Sequence, residues 1–258
     1  MKISVIGSGN MGSAFIKYLS KEHSVTVCDR GSGQGERLAK EVGATYLQDV
    51  KKAVEGASLV LLAVKPKDFE GLSLLLTPIL TSDQVVISLL VGVTIACLQK
   101  AFPKVNVIRL MPNTAISVKQ GILGFTAKSL PSAERVLIES IFSSLGLTLW
   151  IEESKMEAFA ALAASSPAFI FVLLESMIDS GLHIGFSVKE SKEIILKVLE
   201  GCVALLRETT LSPEELKWQI SSPGGTTIAG LKALEESTFR AGIWNAIEAT
   251  YQKSLSVE

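Results

Sequence analysis

The stretch KISVIGSGNMGSAFIKYLSK, residues 2–21, joins a short apolar strand pattern to a helical pattern through a glycine-rich turn. The turn, GSGNMG, has the glycine spacing of a dinucleotide-binding loop. Gly7 permits the tight turn, Gly9 lets a pyrophosphate approach the backbone, and Gly12 allows close contact between helix and strand. The helix N-terminus then faces the phosphates. We therefore predict a dinucleotide site that includes Gly7, Ser8, Gly9, Asn10, Met11 and Gly12.

The second strand pattern, SVTVC, ends at Asp29, which follows Gly9 by 20 positions. An acid at this spacing is expected to bind the ribose hydroxyls of the adenosine, and the ordered series of strand, glycines, helix, strand and acid disfavours a plain glycine-rich turn. Arg30 follows at once. It could stack on adenine and pair with the 2′-phosphate of NADPH, which Asp29 would repel, or it could be a solvated loop cation. NADPH and NADH both remain open.

Strand and helix patterns alternate through the first half of the chain, which predicts a parallel sheet covered by helices on both faces. We assign residues 1–152 to a Rossmann-type dinucleotide-binding domain. Its predicted strands are ISVIG, SVTVC, ASLVLLAV, QVVISLL, VNVIRL, ILGFTA and LTLWI.

Small or polar residues follow three of these strands. Ala63, Val64, Lys65 and Pro66 follow one, Gly92 follows the next, and RLMPNTA, residues 109–115, ends a third with Asn113. Each could be ordinary turn chemistry. Because ligands of open α/β folds bind at the carboxyl ends of the strands, their coincidence at one edge favours a site.

The second half, residues 153–258, reads as helix throughout. A long apolar helix over Ser154–Ser180 is expected to break near Pro167, and SVKE at Ser187 and SPEE at Ser212 predict capping boxes. The uncharged run Ala158–Leu174 is shorter than the roughly 20 residues that span a bilayer. We expect it to be buried in this domain or between subunits.

Composition excludes several classes of protein. The 258 residues carry a formal net charge of −1, which gives no electrostatic basis for nucleic-acid binding. Three cysteines and two histidines suggest neither a disulfide framework nor a zinc site. The N-terminus shows no secretory signal pattern, so we expect a cytoplasmic protein without membrane or nucleic-acid partners.

The segment SSPGGTTIAG, residues 221–230, carries more special backbone chemistry than the start of a helix requires. Together with GSGNMG, AVKPK, SLLVGVTI, RLMPNTA and FRAGIWNAIEA, it resembles the pyrroline-5-carboxylate reductase family, in order along nearly the whole chain. The glycine fingerprint is shared by many dehydrogenases, whereas SSPGGTT followed by a helix and FR is specific to this family.

The resemblance implies a Rossmann domain followed by an all-α dimerisation domain of interlocked helices, with the substrate site near the dimer interface. It implies hydride transfer from NADPH or NADH to C5 of the cyclic imine 1-pyrroline-5-carboxylate, giving proline, without a metal. The expected assembly is a homodimer or a higher multiple such as a decamer. Lys65 and Pro66 would lie beside the cofactor, and Asn113 near the nicotinamide and substrate. The implied substrate residues are Ser222, Gly224, Gly225, Thr226 and Thr227.

Within that loop, Gly224 and Gly225 could take positive φ angles and direct successive N–H groups at the substrate carboxylate. Thr227 would act as the catalytic residue by hydrogen-bonding the ring nitrogen. In the alternative interpretation, Ser222 or Thr226 merely caps the helix.

The sequence departs from the family pattern in AASSPAF, residues 163–169, where Ala164 and Ser166 replace glycines and Phe169 replaces a tyrosine. Ala115 likewise replaces a proline.

The sequence leaves other functions open, namely a non-catalytic dinucleotide sensor and a related dehydrogenase or imine reductase with another small substrate. A β-hydroxyacid dehydrogenase needs a lysine in its interdomain helix, and AALAASSPAFIFVLLES offers none.

Overall fold

The computed structural model describes residues 1–31 and 33–256. Its centre is an eight-stranded sheet with strand order β3-β2-β1-β4-β5-β6-β7-β8. The strands are β1 Lys2–Ile6, β2 Ser24–Cys28, β3 Thr45–Tyr46, β4 Leu59–Leu62, β5 Val85–Ser88, β6 Asn106–Pro112, β7 Gly121–Thr126 and β8 Gly146–Trp150. The predicted α/β class with a Rossmann-type sheet is confirmed.

Two features of the sheet differ from the prediction. β7 runs antiparallel to β6, with Arg109 opposite Thr126, whereas the other neighbouring strands are parallel. β3 was not predicted, because its two residues are too short to show a pattern. The helices of this region are α1 Asn10–Leu19, α2 Gln34–Val42, α3 Val50–Val54, α4 Phe69–Leu76, α5 Ile95–Ala101 and α6 Ser132–Phe142.

Apolar side chains cover both faces of the sheet. Within β4, Leu61 packs in one core cluster with Phe15, and its neighbour Leu62 packs in another with Phe102. Because successive side chains of a strand point to opposite faces, this alternation places one core on each side. The strands therefore read as continuous apolar runs, as buried parallel strands do.

After β8 the chain is helical. A 3₁₀ turn, Glu153–Lys155, leads into α7, Met156–Phe159, and then into a π-helical segment, Ala160–Ser165. The break expected near Pro167 is this segment. The remaining helices are α8 Ser166–His183, α9 Val188–Glu208, α10 Pro213–Gln219, α11 Thr226–Glu236 and α12 Phe239–Leu255. Both predicted capping boxes, at Ser187 and Ser212, are formed.

The chain divides into two compact units, one of Met1–Ser165 with Tyr251–Glu258 and the other of Ser166–Thr250. The domain boundary after residue 152 stays a prediction. Within the described residues of the second unit, Ser191 is the only buried side chain, so this unit has no apolar core of its own. Phe171 and Val172, in the apolar run expected to be buried, are 65% and 62% exposed in the single chain.

Candidate functional site

Backbone hydrogen bonds align the carboxyl ends of the first strands at one edge of the sheet. The Gly7 amide donates to the Cys28 carbonyl and the Ala63 amide to the Ile6 carbonyl, each at 2.8 Å. This alignment brings the glycine loop, the residues after β2 and the residues after β4 to the same edge. Asn113 follows β6, which is parallel to these strands, so it ends at that edge too.

The glycine loop needs glycine at two positions. Gly7 has φ +109°, and a Cβ there would lie 2.4 Å from the Ala63 carbonyl oxygen. A Cβ on Gly12 would lie 2.0 Å from the Gly7 carbonyl oxygen, so this residue must be glycine for α1 to approach the strand. A Cβ on Gly9 would meet no atom within 4 Å, which leaves the outer side of the loop open.

The N-terminus of α1 offers unoccupied donors. Gly9 is its N-cap, no side chain caps the helix, and the first turn carries no acidic residue. The first N–H groups of a helix lack internal partners and carry partial positive charge, which suits a pyrophosphate. The loop and this helix end therefore fit the dinucleotide predicted from the sequence. The individual roles of Gly7 to Gly12 stay predictions.

Asp29 lies at the centre of a hydrogen-bond network. Its Oδ1 accepts from the Gly31 amide and the Tyr46 hydroxyl, each at 2.9 Å. Its Oδ2 accepts from the Ser8 hydroxyl and from the Gly35 amide at 2.9 Å. Burial alone would raise the pKa of Asp29, but these hydrogen bonds outweigh it and lower the pKa below its ordinary value. The network ties the glycine loop to the segment after β2.

Arg30 extends from the same segment and forms an ion pair with Asp68. Asp68 ends the short 3₁₀ turn Pro66–Asp68, which follows Lys65. The Arg30 side chain is 73% exposed and the Asp68 side chain 20%. The ion pair links the segment after β2 with the turn after β4. The predicted contacts of Ala63, Val64, Lys65, Pro66 and Arg30 with the cofactor stay predictions.

Asn113 is buried and uses both ends of its amide within the chain. Its Oδ1 accepts from the Ile122 amide and its Nδ2 donates to the Ala163 carbonyl, each at 3.2 Å. The side chain therefore connects the end of β6 with β7 and with the π-helical segment. Its predicted place near the nicotinamide and substrate stays a prediction.

Sequence reasoning missed a buried ionic cluster beside this segment. Arg109, in the middle of β6, is 3% exposed and pairs with Glu153 at 3.1 Å and Glu157 at 2.9 Å. The same oxygen of Glu153 accepts from the Ile95 amide at the start of α5. The sequence does contain a signal for this cluster, because Arg109 interrupts an apolar strand. A charge buried at such a position needs a partner of opposite charge.

The SSPGGTT loop leads into α11 without a side-chain cap. Gly225 is the N-cap, and neither Ser222 nor Thr226 makes the capping hydrogen bond of the alternative interpretation. Gly224 has φ +69°, as expected, whereas Gly225 has φ −78°. The expectation of positive φ at both glycines is therefore wrong for Gly225, because as N-cap it takes the extended backbone typical of that position. Thr226 and Thr227 are exposed in the single chain.

A cavity of about 690 Å³ lies along α1 and α2 and reaches the turn after β6. It is lined by Asn10 and Met11 of the glycine loop, and by Thr114 directly after Asn113. A larger cavity, of about 880 Å³, lies beside α5 and the segment after β8, and its lining includes none of the predicted site residues. Among the described residues, no group of three His, Cys, Asp or Glu side chains could hold a metal ion.

Two regions of the chain match two protein families. Residues 2–92 match a family described as NADP oxidoreductase coenzyme F420-dependent. Residues 153–257 match a family described as pyrroline-5-carboxylate reductase dimerisation. The second match covers the helical half, including the apolar segment and the SSPGGTT loop.

Proteins that are similar along the whole chain belong to the same reductase family. The chain is 35% identical to the pyrroline-5-carboxylate reductase of Aquifex aeolicus, over 98% of this chain and 96% of the relative. Its structure is similar to that of the Plasmodium falciparum pyrroline carboxylate reductase with NADP bound, with a TM-score of 0.89, 27% identity and coverage of 98% and 97%. It is equally similar to the Streptococcus pyogenes 1-pyrroline-5-carboxylate reductase, with a TM-score of 0.89, 30% identity and coverage of 100% and 99%.

Proposed function

The chain belongs to the pyrroline-5-carboxylate reductase family, and from this we propose that it reduces the C=N bond of 1-pyrroline-5-carboxylate with NADPH or NADH to give L-proline. The observation that carries the proposal is the 35% identity to the Aquifex aeolicus enzyme along almost the full length of both chains. Such a protein is an NAD(P)H-dependent oxidoreductase that acts in proline biosynthesis.

The cofactor, when bound, supplies a hydride from its nicotinamide. Residues of the glycine loop and the N-terminus of α1 would hold its pyrophosphate, since their N–H groups are uncapped and the outer side of Gly9 is open. Lys65 and Pro66, with Ala63 and Val64, would contact it from the turn after β4. Asn113 would fix the backbone at the end of β6, where the nicotinamide is expected.

The SSPGGTT loop would bind the substrate carboxylate. Gly224, in its left-handed conformation, lets the chain turn so that N–H groups at the start of α11 face an anion. The uncapped N-terminus of an 11-residue helix adds partial positive charge there. Ser222, Gly225 and Thr226 would complete this anion site.

The imine nitrogen needs a polar contact, because a protonated imine accepts a hydride at C5 more readily than a neutral one. The Thr227 hydroxyl, on the first turn of α11, would hydrogen-bond this nitrogen and orient the ring. Reduction at C5 would move the C=N π electrons to the nitrogen, which already holds its proton, and the Thr227 hydroxyl would accept a hydrogen bond from that N–H. Thr227 thus stabilises a charge that shifts in the transition state.

We propose that the helical half assembles with a second copy as a homodimer, which could assemble further into a decamer. The second unit exposes the apolar side chains that a core would bury, and the family match there is to a dimerisation region. By length and composition alone, the helical stretch Glu153–His183 could cross a membrane. The dimerisation match covers this stretch, which supports burial between subunits. A cytoplasmic location is part of the same proposal.

The test is a spectrophotometric assay of NADPH and NADH oxidation with 1-pyrroline-5-carboxylate. A reductase consumes the cofactor only when the imine is present, and the amount of proline formed equals the amount of cofactor oxidised. A dinucleotide sensor would bind the cofactor without consuming it. A reductase for another imine would oxidise the cofactor with a different cyclic imine and not with this one.

A further inference from the structure

Four donors among the described residues already bind the Asp29 carboxylate. A carboxylate offers about four lone-pair sites, and the four donors Ser8, Gly31, Gly35 and Tyr46 use two on each oxygen. The ribose hydroxyls that bind such an acid in other dinucleotide folds would have to displace one of these donors. Asp29 is therefore suited to holding the loop in shape and not to reading the ribose.

Arg30 is then a charged group between β2 and α2 that is open to a ligand. Its side chain is 73% exposed, and its ion-pair partner is Asp68 on the turn after β4. In the sheet, β1 lies between β2 and β4, so the glycine loop lies between the two segments that the ion pair joins. The pair therefore spans the edge at which the adenosine half of a dinucleotide is expected.

We propose that Asp68 sets the preference between NADPH and NADH by competing with the 2′-phosphate for Arg30. The proposal rests on the proposed function, since it concerns the same dinucleotide site. NADPH must draw the guanidinium away from Asp68 and bring a phosphate dianion towards that carboxylate. NADH has no phosphate at this position, so it binds without disturbing the pair.

The expected change in NADP⁺ affinity is small because the ion pair between Arg30 and Asp68 is exposed to solvent. Removing the competition of one solvent-exposed ion pair changes a dissociation constant by roughly two- to fivefold. Asp68→Asn keeps the shape of the side chain and removes its charge, so it should tighten NADP⁺ binding by about that factor. Binding of NAD⁺ should stay within about twofold of wild type, because NAD⁺ has no 2′-phosphate to compete with Asp68 for Arg30.

The experiment is isothermal titration calorimetry of the full chain with NADP⁺ and with NAD⁺, which needs no turnover. The variants are Asp68→Asn, Arg30→Gln and the double variant. Asp83→Asn is the matched control, because this exposed residue lies before β5, at the opposite edge of the sheet, and its change alters net charge equally. We expect Asp68→Asn to favour NADP⁺ only while Arg30 is present.

Other outcomes would overturn the proposal. If Asp68→Asn weakened NADP⁺ binding, Asp68 would be positioning Arg30 for the phosphate. If Asp68→Asn acted equally in the Arg30→Gln background, its charge would act on the phosphate directly. An equal change for both nucleotides, or the same change in Asp83→Asn, would also contradict it. Failure of wild type to bind either nucleotide would instead refute the proposed function.

Discussion

The side-chain nitrogen Nδ2 of Asn113 donates a hydrogen bond to the carbonyl oxygen of Ala163 at 3.2 Å, and so joins the end of β6 to the π-helical segment. In an α-helix this carbonyl would accept from residue 167, which is proline and has no N–H. Asn113 thus supplies a donor at the turn where Pro167 removes one. The family departures at Ala164 and Ser166 lie in the same turn.

We predict that Asn113→Asp destabilises the protein by roughly 1–3 kcal/mol, the cost of leaving a buried polar group without its partner. The substitution retains an acceptor for the Ile122 amide and replaces the donor to Ala163 with a second acceptor. Urea unfolding followed by circular dichroism measures the change. Asn106→Asp likewise replaces a donor with an acceptor, here facing the Glu134 carboxylate, but this side chain is less buried, so the loss should be smaller. Unchanged stability with reduced turnover would assign Asn113 to the reaction alone.

A second prediction concerns the pH dependence of stability at Asp29. Its pKa in the folded protein lies below the ordinary value of 3.8. The contribution of the ionised carboxylate to the free energy of unfolding is therefore fully present above that value. The contribution disappears as the pH falls through the folded pKa. Asp29→Asn should therefore lower the free energy of unfolding at neutral pH, and the difference from wild type should shrink below about pH 4. Urea unfolding at several pH values checks this; a difference that stays constant with pH would contradict it.

The sequence predicts those features of the sheet that depend on patterns of neighbouring residues. Apolar runs and glycine spacing identify seven strands and the loop after β1. Pattern alone carries no strand direction, so the antiparallel β7 could not be recognised, and β3 is too short to show one. The donors to Asp29 include Tyr46, 17 positions away. A spacing rule identifies the acid but not the two hydroxyls and two amides that donate hydrogen bonds to it.

Arg109 gives the third prediction. Replacement by methionine would leave Glu153 and Glu157 without their cation, and one oxygen of Glu157 is already buried without a hydrogen-bond partner. Breaking a buried ion pair typically costs 3–5 kcal/mol, and we expect about 3 because Glu153 is partly exposed. Thermal and urea unfolding measure it. Arg135→Met removes an exposed cation that lies over Trp150 and should cost less than about 1 kcal/mol; equal losses would contradict the prediction.

The fourth prediction concerns assembly. Val172 and Val136 are 62% and 64% exposed in the single chain, but only Val172 lies in the apolar segment matched to a dimerisation region. Val172→Glu should therefore convert the oligomer to monomer or aggregate, since a buried, unpaired charge costs far more than an exposed one. Val136→Glu should leave assembly unchanged. Light scattering at micromolar concentration distinguishes these results, and a stable, active wild-type monomer would contradict the proposed homodimer.

The last prediction returns to the loop before α11, where sequence reasoning left two roles open for its hydroxyls. No side chain caps this helix, so the role of cap is not filled by Ser222 or Thr226. The Thr227 hydroxyl makes no hydrogen bond among the described residues and is exposed in the single chain. A hydroxyl without a structural partner can be removed at little cost to folding.

Thr227→Ala should therefore leave stability and NADP⁺ affinity near wild type while raising the activation free energy by roughly 1–3 kcal/mol, a five- to 150-fold loss in kcat/KM. Thr227→Ser should recover most of the activity, because it restores the hydroxyl at the same position. Thr209→Ala, at the end of α9, removes a hydroxyl outside the loop and serves as the control. If Thr227→Ala kept full turnover and substrate affinity, the imine nitrogen would need another partner. The anion site of Ser222, Gly224, Gly225 and Thr226 would then be the loop's contribution to substrate binding.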